Sequence, residues 1–313
     1  MKLKCRIMSN SRKHLIVTGA GGYLGQHLVN RALENDWEVI ALIHNNNPFP
    51  ENCAGLTVKK WDLGKIDEIS EIFNDSCILV HSAAYIPKNH NSSNTAEECY
   101  KYNVLATLRL LQVALNRNIS HFVYYSAGNA YSIENRPATE EDSLYPFGKA
   151  VIYLSSKISG EILVNHFSDI WSIPATILRI STPFGPNNSS VINKILFSLK
   201  NSTAIKLKEG GCHAADFVYV DDIIDVTLQA INTKTTGIFN IGSGIRTSLL
   251  EGANIIADIL NVNKDLINID PVPENYMVKG YPALDFTKAC KQLNFSPMSF
   301  EDGLCKIIQK EFN

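Results

Sequence analysis

Short apolar runs alternate with longer amphipathic segments through the first two thirds of the chain. The apolar runs are rich in β-branched and aromatic residues, which is typical of buried strands. They lie at residues 15–18, 39–43, 78–81, 122–126 and 175–180. The segments between them have helical spacing, notably the one that ends at Glu34, 96–116 and 151–167. Such β-α-β alternation predicts a parallel sheet covered by helices.

The pattern changes after Pro183, where proline and glycine mark a polar loop. A helix is predicted over 191–199. The apolar runs at 217–220 and 238–241 are expected to be strands that return to the sheet. From Ser248 onward the pattern is mostly helical.

These elements predict an α/β fold, with a Rossmann-type doubly wound parallel sheet and a smaller C-terminal α/β lobe. The nucleotide-binding domain is expected to comprise residues 11–182, with 216–242 returning to it. Residues 183–215 and 243–313 are expected to form the smaller, substrate-binding lobe.

Composition excludes several classes of partner. The formal net charge of the 313 residues is −2, so no basic field favours nucleic acid. No apolar run approaches the roughly 20 residues that span a bilayer, so no membrane segment is expected. Seven cysteines without a CxxC pair favour reduced thiols in a cytoplasmic protein over a disulfide framework or a metal site.

A glycine-rich turn follows the first predicted strand. Gly19, Gly22 and Gly25 form GxxGxxG between that strand and a helix. The glycines permit a tight turn and close approach of a pyrophosphate, and the helix N-terminus supplies N–H groups to its oxygens. With Tyr23 and Leu24, they are the predicted phosphate-binding residues.

The end of the second strand bears on the choice of dinucleotide. An acid there usually binds the ribose 2′-hydroxyl of NAD, and none stands at that strand end, among residues 43–50. His44 and the following asparagines are able to hydrogen-bond a 2′-phosphate. The sequence therefore favours NADP, with NAD as the alternative.

A tyrosine and a lysine stand one helical turn apart, at Tyr153 and Lys157. The lysine ammonium and an oxidised nicotinamide ring are both expected to lower the pKa of the phenol. Tyr153 is then able to exchange a proton with a carbinol oxygen while hydride moves between that carbon and the cofactor. The pair is the predicted catalytic centre, together with Ser126.

Several further segments stand in the order of one enzyme family's motifs. They are TGAGGYLG at 18–25, WDL at 61–63, HSAA at 81–84, NV at 103–104, FVYYS at 122–126, LR at 178–179, FGP at 184–186, DFVYVDD at 216–222 and NIGSG at 240–244. Together they resemble the NAD-dependent epimerase/dehydratase family, the extended branch of the short-chain dehydrogenase/reductase superfamily. Many members act on nucleotide sugars, so this resemblance implies a nucleotide-sugar substrate.

The resemblance also implies particular site residues. Cofactor contacts are expected from Asp62, Leu63, Ala83, Ala84, Asn103, Ser126, Tyr153 and Lys157, besides the glycine turn and His44. Substrate contacts are expected from Tyr85, Ala127, Thr182 and His213. Family members commonly pair the helices that carry Asn103 and Tyr153, so a homodimer is expected. Helix 151–167 has apolar residues available for this at Ile152, Ile158, Ile162 and Leu163.

Five positions depart from the family pattern. The catalytic Ser/Thr is replaced by Ala127, and Ser126, one residue away on a strand, faces the other side. The acid pair of the 4,6-dehydratases is replaced by Gly128-Asn129, which argues against dehydration. The arginine that often holds a nucleotide diphosphate is replaced by Ala215, and Thr182 stands where a sugar-contacting asparagine is usual.

Three functional hypotheses follow. The first is a ketoreductase in which NADPH reduces a carbonyl of a sugar nucleotide and Tyr153 protonates the oxygen. The second is a nucleotide-sugar 4-epimerase with tightly bound NAD. The third is a dinucleotide-binding sensor or scaffold without turnover, suggested by Ala127.

Overall fold

Seven parallel strands form the large sheet of the protein, whose computed structural model describes residues 13–65, 70–73, 76–90, 92–132, 135–272 and 280–312. The strands are β1 (His14–Thr18), β2 (Glu38–Ile43), β3 (Leu56–Lys60), β4 (Ile78–His81), β5 (His121–Ala127), β6 (Ala175–Ile180) and β10 (Gly237–Ile241). Their spatial order is β10-β6-β5-β4-β1-β2-β3. The order reverses between β1 and β4, where open α/β sheets bind ligands beyond the carboxyl ends of their strands.

Helices cover both faces of this sheet. They are α1 (Tyr23–Glu34), α2 (Asn94–Cys99), α3 (Ala106–Asn116), α4 (Val151–Trp171) and α6 (Val220–Thr233). Alternate residues of β1 divide the core, since Leu15 and Val17 join one hydrophobic cluster and Ile16 joins the other. Burial on both faces explains why the central strands are nearly continuous apolar runs. The prediction of a Rossmann-type doubly wound sheet is confirmed.

The remaining elements form a second group outside the large sheet. Its strands are β7 (Thr182–Phe184), β8 (Ile205–Leu207), β9 (Ala214–Tyr219), β11 (Arg246–Ser248) and β12 (Ile267–Ile269). Its helices are α5 (Val191–Lys200), α7 (Leu249–Leu260), α8 (Thr287–Leu293) and α9 (Phe300–Phe312). Strands β7, β9 and β11 make a three-stranded sheet, and β8 pairs with β12.

One strand prediction was wrong. The run at 217–220 does not return to the large sheet, because β9 pairs with β7 and β11 and the chain then enters α6. Asp216 fixes this arrangement, since its buried carboxylate accepts backbone N–H bonds from Ser243 (2.6 Å), Gly244 (3.1 Å) and Leu284 (2.9 Å). The run at 238–241 does return, as β10 beside β6.

Several elements were not predicted from the sequence, among them β3, a π-helical segment and the short strands β7, β8, β11 and β12. Strand β3 lies at the edge of the large sheet, and a π-helical segment, Tyr100–Leu105, connects α2 to α3. In the part of the chain that the structure describes, no helix is long and apolar enough to cross a membrane. Over the same ranges, no cluster of three or more histidine, cysteine, aspartate or glutamate side chains is placed to hold a metal ion.

Candidate active site

A cleft of about 900 Å³ opens at the carboxyl ends of β1 and β4, where the strand order reverses. It brings together most of the residues singled out in the sequence. These are Gly19, Gly22, Tyr23, Leu24, His44, Asp62, Leu63, Ala83, Ala84, Tyr85, Ser126, Ala127, Tyr153, Lys157 and Thr182. The motifs therefore converge on one space that extends from the glycine turn to the Tyr153 helix.

The glycine turn connects β1 to α1 without side-chain obstruction. Gly19 has φ +67°, and a Cβ there would lie 2.6 Å from Ala83 Cα. Gly22 is the N-cap residue of α1, with no side-chain cap and no acidic residue in the first helical turn. No acidic side chain in that turn offsets the positive end of the helix dipole, and this end of the helix therefore suits an anion. Gly25 lies behind the cleft, where a side chain would collide with the Gly19 carbonyl.

A buried histidine links the elements beneath the cleft through its hydrogen bonds. His81 Nδ1 lies 2.7 Å from Thr18 Oγ1, and its Nε2 lies 3.0 Å from Thr107 Oγ1. Thr18 Oγ1 also accepts the Ala83 N–H at 3.2 Å. Burial, with a smaller contribution from Lys157, holds the pKa of His81 well below its usual value, so the ring is neutral. Its hydrogen bonds join the ends of β1 and β4 to α3.

The far end of the cleft is polar and carries one carboxylate. His44, Asn45 and Asn46 follow β2, and Asp62 and Leu63 follow β3. Asp62 accepts the Gly64 N–H at 2.9 Å. No carboxylate stands at the end of β2 itself.

The predicted catalytic pair lies on α4. Lys157 is only 3% exposed, and its Nζ lies 4.2 Å from the centre of the Tyr124 ring. Burial lowers the pKa of Lys157 to about 7, against an opposing effect of Glu161. Glu161 does little to oppose this because it is itself engaged by Arg179, whose Nε donates to it at 3.0 Å.

The pKa of Tyr153 differs from the sequence expectation. Burial raises the pKa of this phenol to about 12, and Cys99 and Tyr281 add to the effect. The lowering expected from Lys157 is not found among the residues of the chain. The physical reason is that Lys157 is also desolvated and shares its nearest carboxylate with Arg179. A positive charge from outside the chain is needed to bring the phenol into a useful range.

The end of β5 holds Ser126 and Ala127, and both line the cleft, although the alternation of side chains along a strand was expected to turn Ser126 away from it. Ser126 is 6% exposed, and its Oγ has no hydrogen-bond partner among the described residues. Ala127 ends the strand and also lines the cleft. Asn129, in the short helical turn that follows, donates from Nδ2 to Thr182 Oγ1 at 3.4 Å, and its Oδ1 is buried without a partner in the described part of the chain. Sequence reasoning noted Asn129 only as the absence of an acid.

Asn103, predicted as a cofactor contact, is not part of the cleft lining. It is buried, and its Oδ1 accepts the Tyr85 N–H at 2.6 Å. Its Nδ2 donates to Tyr85 O at 3.0 Å and to Ser156 Oγ at 2.9 Å. Its hydrogen-bonding groups are thereby used, and it acts by positioning Tyr85, whose hydroxyl donates to the Glu98 carboxylate.

His213, predicted as a substrate contact, also lies outside the cleft lining. Its ring packs edge to face on Tyr281, with ring centres 5.8 Å apart. Tyr281 in turn contributes to the raised pKa of Tyr153. Burial and, to a smaller extent, Arg246 lower the pKa of His213.

The chain matches known proteins over most of its length. Residues 15–242 match the NAD dependent epimerase/dehydratase family. A putative UDP-glucose 4-epimerase of Methanocaldococcus jannaschii is 29% identical over 309 residues, which cover 94% of this chain and 97% of that protein. The dTDP-glucose 4,6-dehydratase of Streptomyces antibioticus is 25% identical, with 94% of this chain and 91% of that protein covered.

Solved structures show the same fold. A UDP-glucose 4-epimerase of Thermotoga maritima with UDP-glucose superposes with a TM-score of 0.81 at 23% identity, covering 96% of this chain and 98% of the other. A UDP-glucuronic acid 4-epimerase of Bacillus cereus with UDP-glucuronic acid and NAD gives 0.79 at 23% identity, covering 95% and 99%.

The glycine turn and the uncapped start of α1 suit a dinucleotide laid across the strand ends. Fold, motif order and family match agree with one another. From these observations together, the chain belongs to the NAD-dependent epimerase/dehydratase family of the short-chain dehydrogenase/reductase superfamily, and it is an enzyme.

Proposed function

We propose that this enzyme is a nucleotide-sugar 4-epimerase that uses NAD. The observation that carries the proposal is that Tyr153 and Lys157 face the same cleft as the glycine turn, while Gly128-Asn129 offers no carboxylate for an elimination. Related proteins named as UDP-glucose 4-epimerases support it. The absent acid pair disfavours the dehydratase chemistry of other relatives.

Tyr153 is the proposed general base and acid. When bound, NAD would supply the hydride acceptor and donor and a positively charged ring. Tyr153 takes the proton of the sugar hydroxyl and later gives it back. In the free protein, burial raises the pKa of this phenol to about 12. Lys157 contributes positive charge beneath the cleft floor and is also a proposed cofactor contact.

Ser126 and Asn129 are the proposed replacements for the missing hydroxyl at Ala127. Both line the cleft, and Ser126 Oγ and Asn129 Oδ1 have no partner among the described residues, but both atoms are shielded from solvent in the free protein, so each would reach a ligand only after its side chain rotates. An unpaired buried polar atom costs free energy, which a bound ligand relieves. We therefore assign to them the hydrogen bonds that hold the nicotinamide and the reacting sugar oxygen.

The other site residues keep their sequence-based roles as proposals. The glycine turn and the neighbouring strand ends would hold the dinucleotide through Gly19, Gly22, Tyr23, Leu24, Asp62, Leu63, Ala83 and Ala84. Tyr85 and Thr182 would contact the sugar. Residues 183–215 and 243–313 would supply the substrate-binding lobe, and a cytoplasmic location remains a prediction.

A ketoreductase that consumes NADPH is the second candidate. The end of β2 favours it, because His44, Asn45 and Asn46 line the cleft there and no carboxylate would repel a 2′-phosphate. The relatives named above are epimerases and a dehydratase, which places the epimerase first. The sensor or scaffold is the weakest candidate, because Tyr153 and Lys157 are both present and both face the cleft.

One experiment separates the three. The purified protein is incubated with NAD and UDP-glucose, and in parallel with NADPH and a 4-keto sugar nucleotide, and products are identified by mass spectrometry and chromatography. Interconversion of UDP-glucose and UDP-galactose without net cofactor consumption supports the epimerase. Stoichiometric loss of NADPH supports the reductase.

The matched variant is Tyr153→Phe, which keeps the ring and removes the proton-transfer group. We expect turnover to fall by about 10²–10⁴-fold with little change in dinucleotide affinity. A Tyr153→Phe protein with near-full turnover would falsify the assignment of Tyr153. Absence of turnover in both incubations would favour the sensor.

A further inference from the structure

Tyr85 forms one wall of the cleft. Its backbone and its hydroxyl are both hydrogen-bonded by residues of the helical segment that begins at Asn94. The backbone of Tyr85 is fixed by Asn103, with N–H to Oδ1 at 2.6 Å and Nδ2 to carbonyl at 3.0 Å. Its hydroxyl donates to the Glu98 carboxylate. Its ring lies 5.8 Å from that of Tyr102, which lines the same cleft.

The π-helical segment explains how one helix reaches both ends of Tyr85. Residues Tyr100–Leu105 form i→i+5 turns, so residues five apart come into the same row. Glu98 lies just before this segment, in α2, and Asn103 lies within it, and both side chains hydrogen-bond Tyr85. In an unbroken α-helix they would diverge by well over a hundred degrees.

Glu98 also brings charge to the cleft. Among the described residues that line it, the carboxylates are Asp62 and Glu98. Asp62 stands at the far end, after β3, whereas Glu98 is followed directly by Cys99, which is close enough to Tyr153 to influence the pKa of that phenol. Glu98 accepts the Tyr85 hydroxyl and has no other hydrogen-bond partner within the described ranges. A carboxylate has about four acceptor positions, so most of its capacity is open.

We infer that Glu98, oriented by Tyr85, is a specificity-determining residue that accepts a hydrogen bond from a sugar hydroxyl and excludes sugars that carry a carboxylate. The inference rests on the proposed function and assigns the substrate to the neutral hexose nucleotides. A uronic acid would place a second negative charge beside Glu98 in a partly desolvated cleft. Like charges a few ångströms apart in such surroundings repel by roughly the energy of a tenfold change in affinity.

The test compares UDP-glucose with UDP-glucuronic acid. Affinity for each is measured by calorimetry in the presence of saturating NAD, for the wild type, Glu98→Gln and Glu97→Gln. Glutamine keeps the size of the side chain and an acceptor for the Tyr85 hydroxyl, so Glu98→Gln isolates the charge. Glu97 is exposed, neighbours Glu98 on α2 and is not part of the cleft lining, which makes it the control.

We expect the wild type to bind UDP-glucose at least tenfold more tightly than UDP-glucuronic acid. Glu98→Gln should reduce that ratio by about tenfold, mainly through tighter binding of the uronate, and Glu97→Gln should leave it unchanged. Tyr85→Phe should weaken UDP-glucose binding several-fold while preserving discrimination, because the charge remains.

Two outcomes overturn the inference. If the wild type binds both sugars equally, or if Glu98→Gln leaves the ratio unchanged while both sugars bind, Glu98 does not select the substrate and the proposed function still stands. If neither sugar nucleotide binds in the presence of NAD, the proposed function fails, and the inference fails with it.

Discussion

At the scale of single residues, burial disfavours the charged forms of the two proposed catalytic side chains, Tyr153 and Lys157. Lys157 and Tyr153 each titrate away from their ordinary range, and both shifts favour the neutral form. A neutral phenol beside a partly neutral amine is a poor base. The positive nicotinamide of a bound cofactor would favour the phenolate, so chemistry would begin only after the dinucleotide binds.

The Lys157 shift predicts a pH dependence of stability. Burial lowers the pKa of Lys157 to about 7, whereas an unfolded lysine titrates near pH ~10.4. Between these values the unfolded chain holds a proton that the folded chain lacks, so the free energy of unfolding rises with pH across this window. Lys157→Met should flatten that rise and, at pH ~6, stabilise the fold by on the order of 2 kcal/mol.

Urea denaturation across that pH range measures the effect. Lys149→Met, at an exposed lysine just before α4, is the control and should keep the wild-type slope. A Lys157→Met protein whose unfolding free energy depends on pH as the wild type's does would show that Lys157 is charged in the folded state.

The end of β2 carries the second prediction at this scale. His44 lines the cleft, and the strand end lacks the carboxylate that would bind a ribose 2′-hydroxyl. The ketoreductase candidate therefore predicts that NADP(H) binds at least several-fold more tightly than NAD(H), and that His44→Asp reverses the order by repelling the 2′-phosphate. Calorimetry with both dinucleotides tests this, with His166→Asp, exposed on α4 and outside the cleft, as control. Equal wild-type affinities would contradict the preference.

At the scale of elements, α4 can approach β5 only because residue 160 is glycine. A Cβ there would collide with the Tyr124 hydroxyl and lie 3.0 Å from its Cζ and 3.2 Å from Asn103 O. The same tyrosine lies under Lys157 and donates to its carbonyl at 3.1 Å. The spacing of α4 and β5 therefore positions both proposed catalytic residues.

Gly160→Ala should destabilise the protein by about 1–3 kcal/mol, as overpacked cores do, and should lower turnover by displacing α4. The control is Gly252→Ala in α7, where the nearest atom to the new Cβ lies at an ordinary 3.4 Å and the helix should gain stability. Adding Tyr124→Phe to Gly160→Ala should recover part of the loss. Equal unfolding free energies for the two alanine variants would disprove the close approach.

The elements also show what the sequence can and cannot predict. The central strands were predicted because both of their faces are buried, which leaves continuous apolar runs. Strand β3 was missed because an edge strand ending in Lys59 and Lys60 has no such run. The pairing of β9 depends on Asp216 contacting Ser243 and Leu284, far along the chain, which no local pattern encodes.

The site residues also divide into those that a local sequence pattern predicts and those that it does not. The glycine turn and the Tyr153–Lys157 spacing are local patterns, and the fold places both at the cleft. The contributions of Glu98 and Asn129 depend on contacts with distant residues, and a π-helical turn has no distinct hydrophobic period by which to recognise it. Asn103 is conspicuous as a motif, but only the structure shows that its amide is already occupied.

At the scale of the whole molecule, an apolar surface follows the outer side of the helices at one end of the sheet. Ile162 on α4 is 63% exposed, and Leu105 and Tyr100 before α3 are 50% and 43% exposed. Of the other residues expected to pair, Ile152 and Ile158 are half-buried. Exposed apolar groups on adjacent, packed helices favour association with a second copy.

We predict a homodimer paired through α3 and α4. Ile162→Glu should convert it to a monomer at micromolar concentration, because a charge would be buried at the centre of the interface. Light scattering measures the mass, with Ile245→Glu, at a 64% exposed residue outside the large sheet, as control. A monomeric wild type would rule out the pairing.

Asn103 joins the wall of the cleft to that outer surface. Its amide holds Tyr85 and Ser156, and it lies in the segment that exposes Tyr100 and Leu105. If association through this segment favours one position of Tyr85, a sugar that favours the same position would strengthen association, and association would strengthen sugar binding by the same factor, since such couplings are reciprocal. The affinity of the enzyme for its substrate would then depend on the enzyme concentration. Dilution would weaken substrate binding without any change in the residues of the cleft.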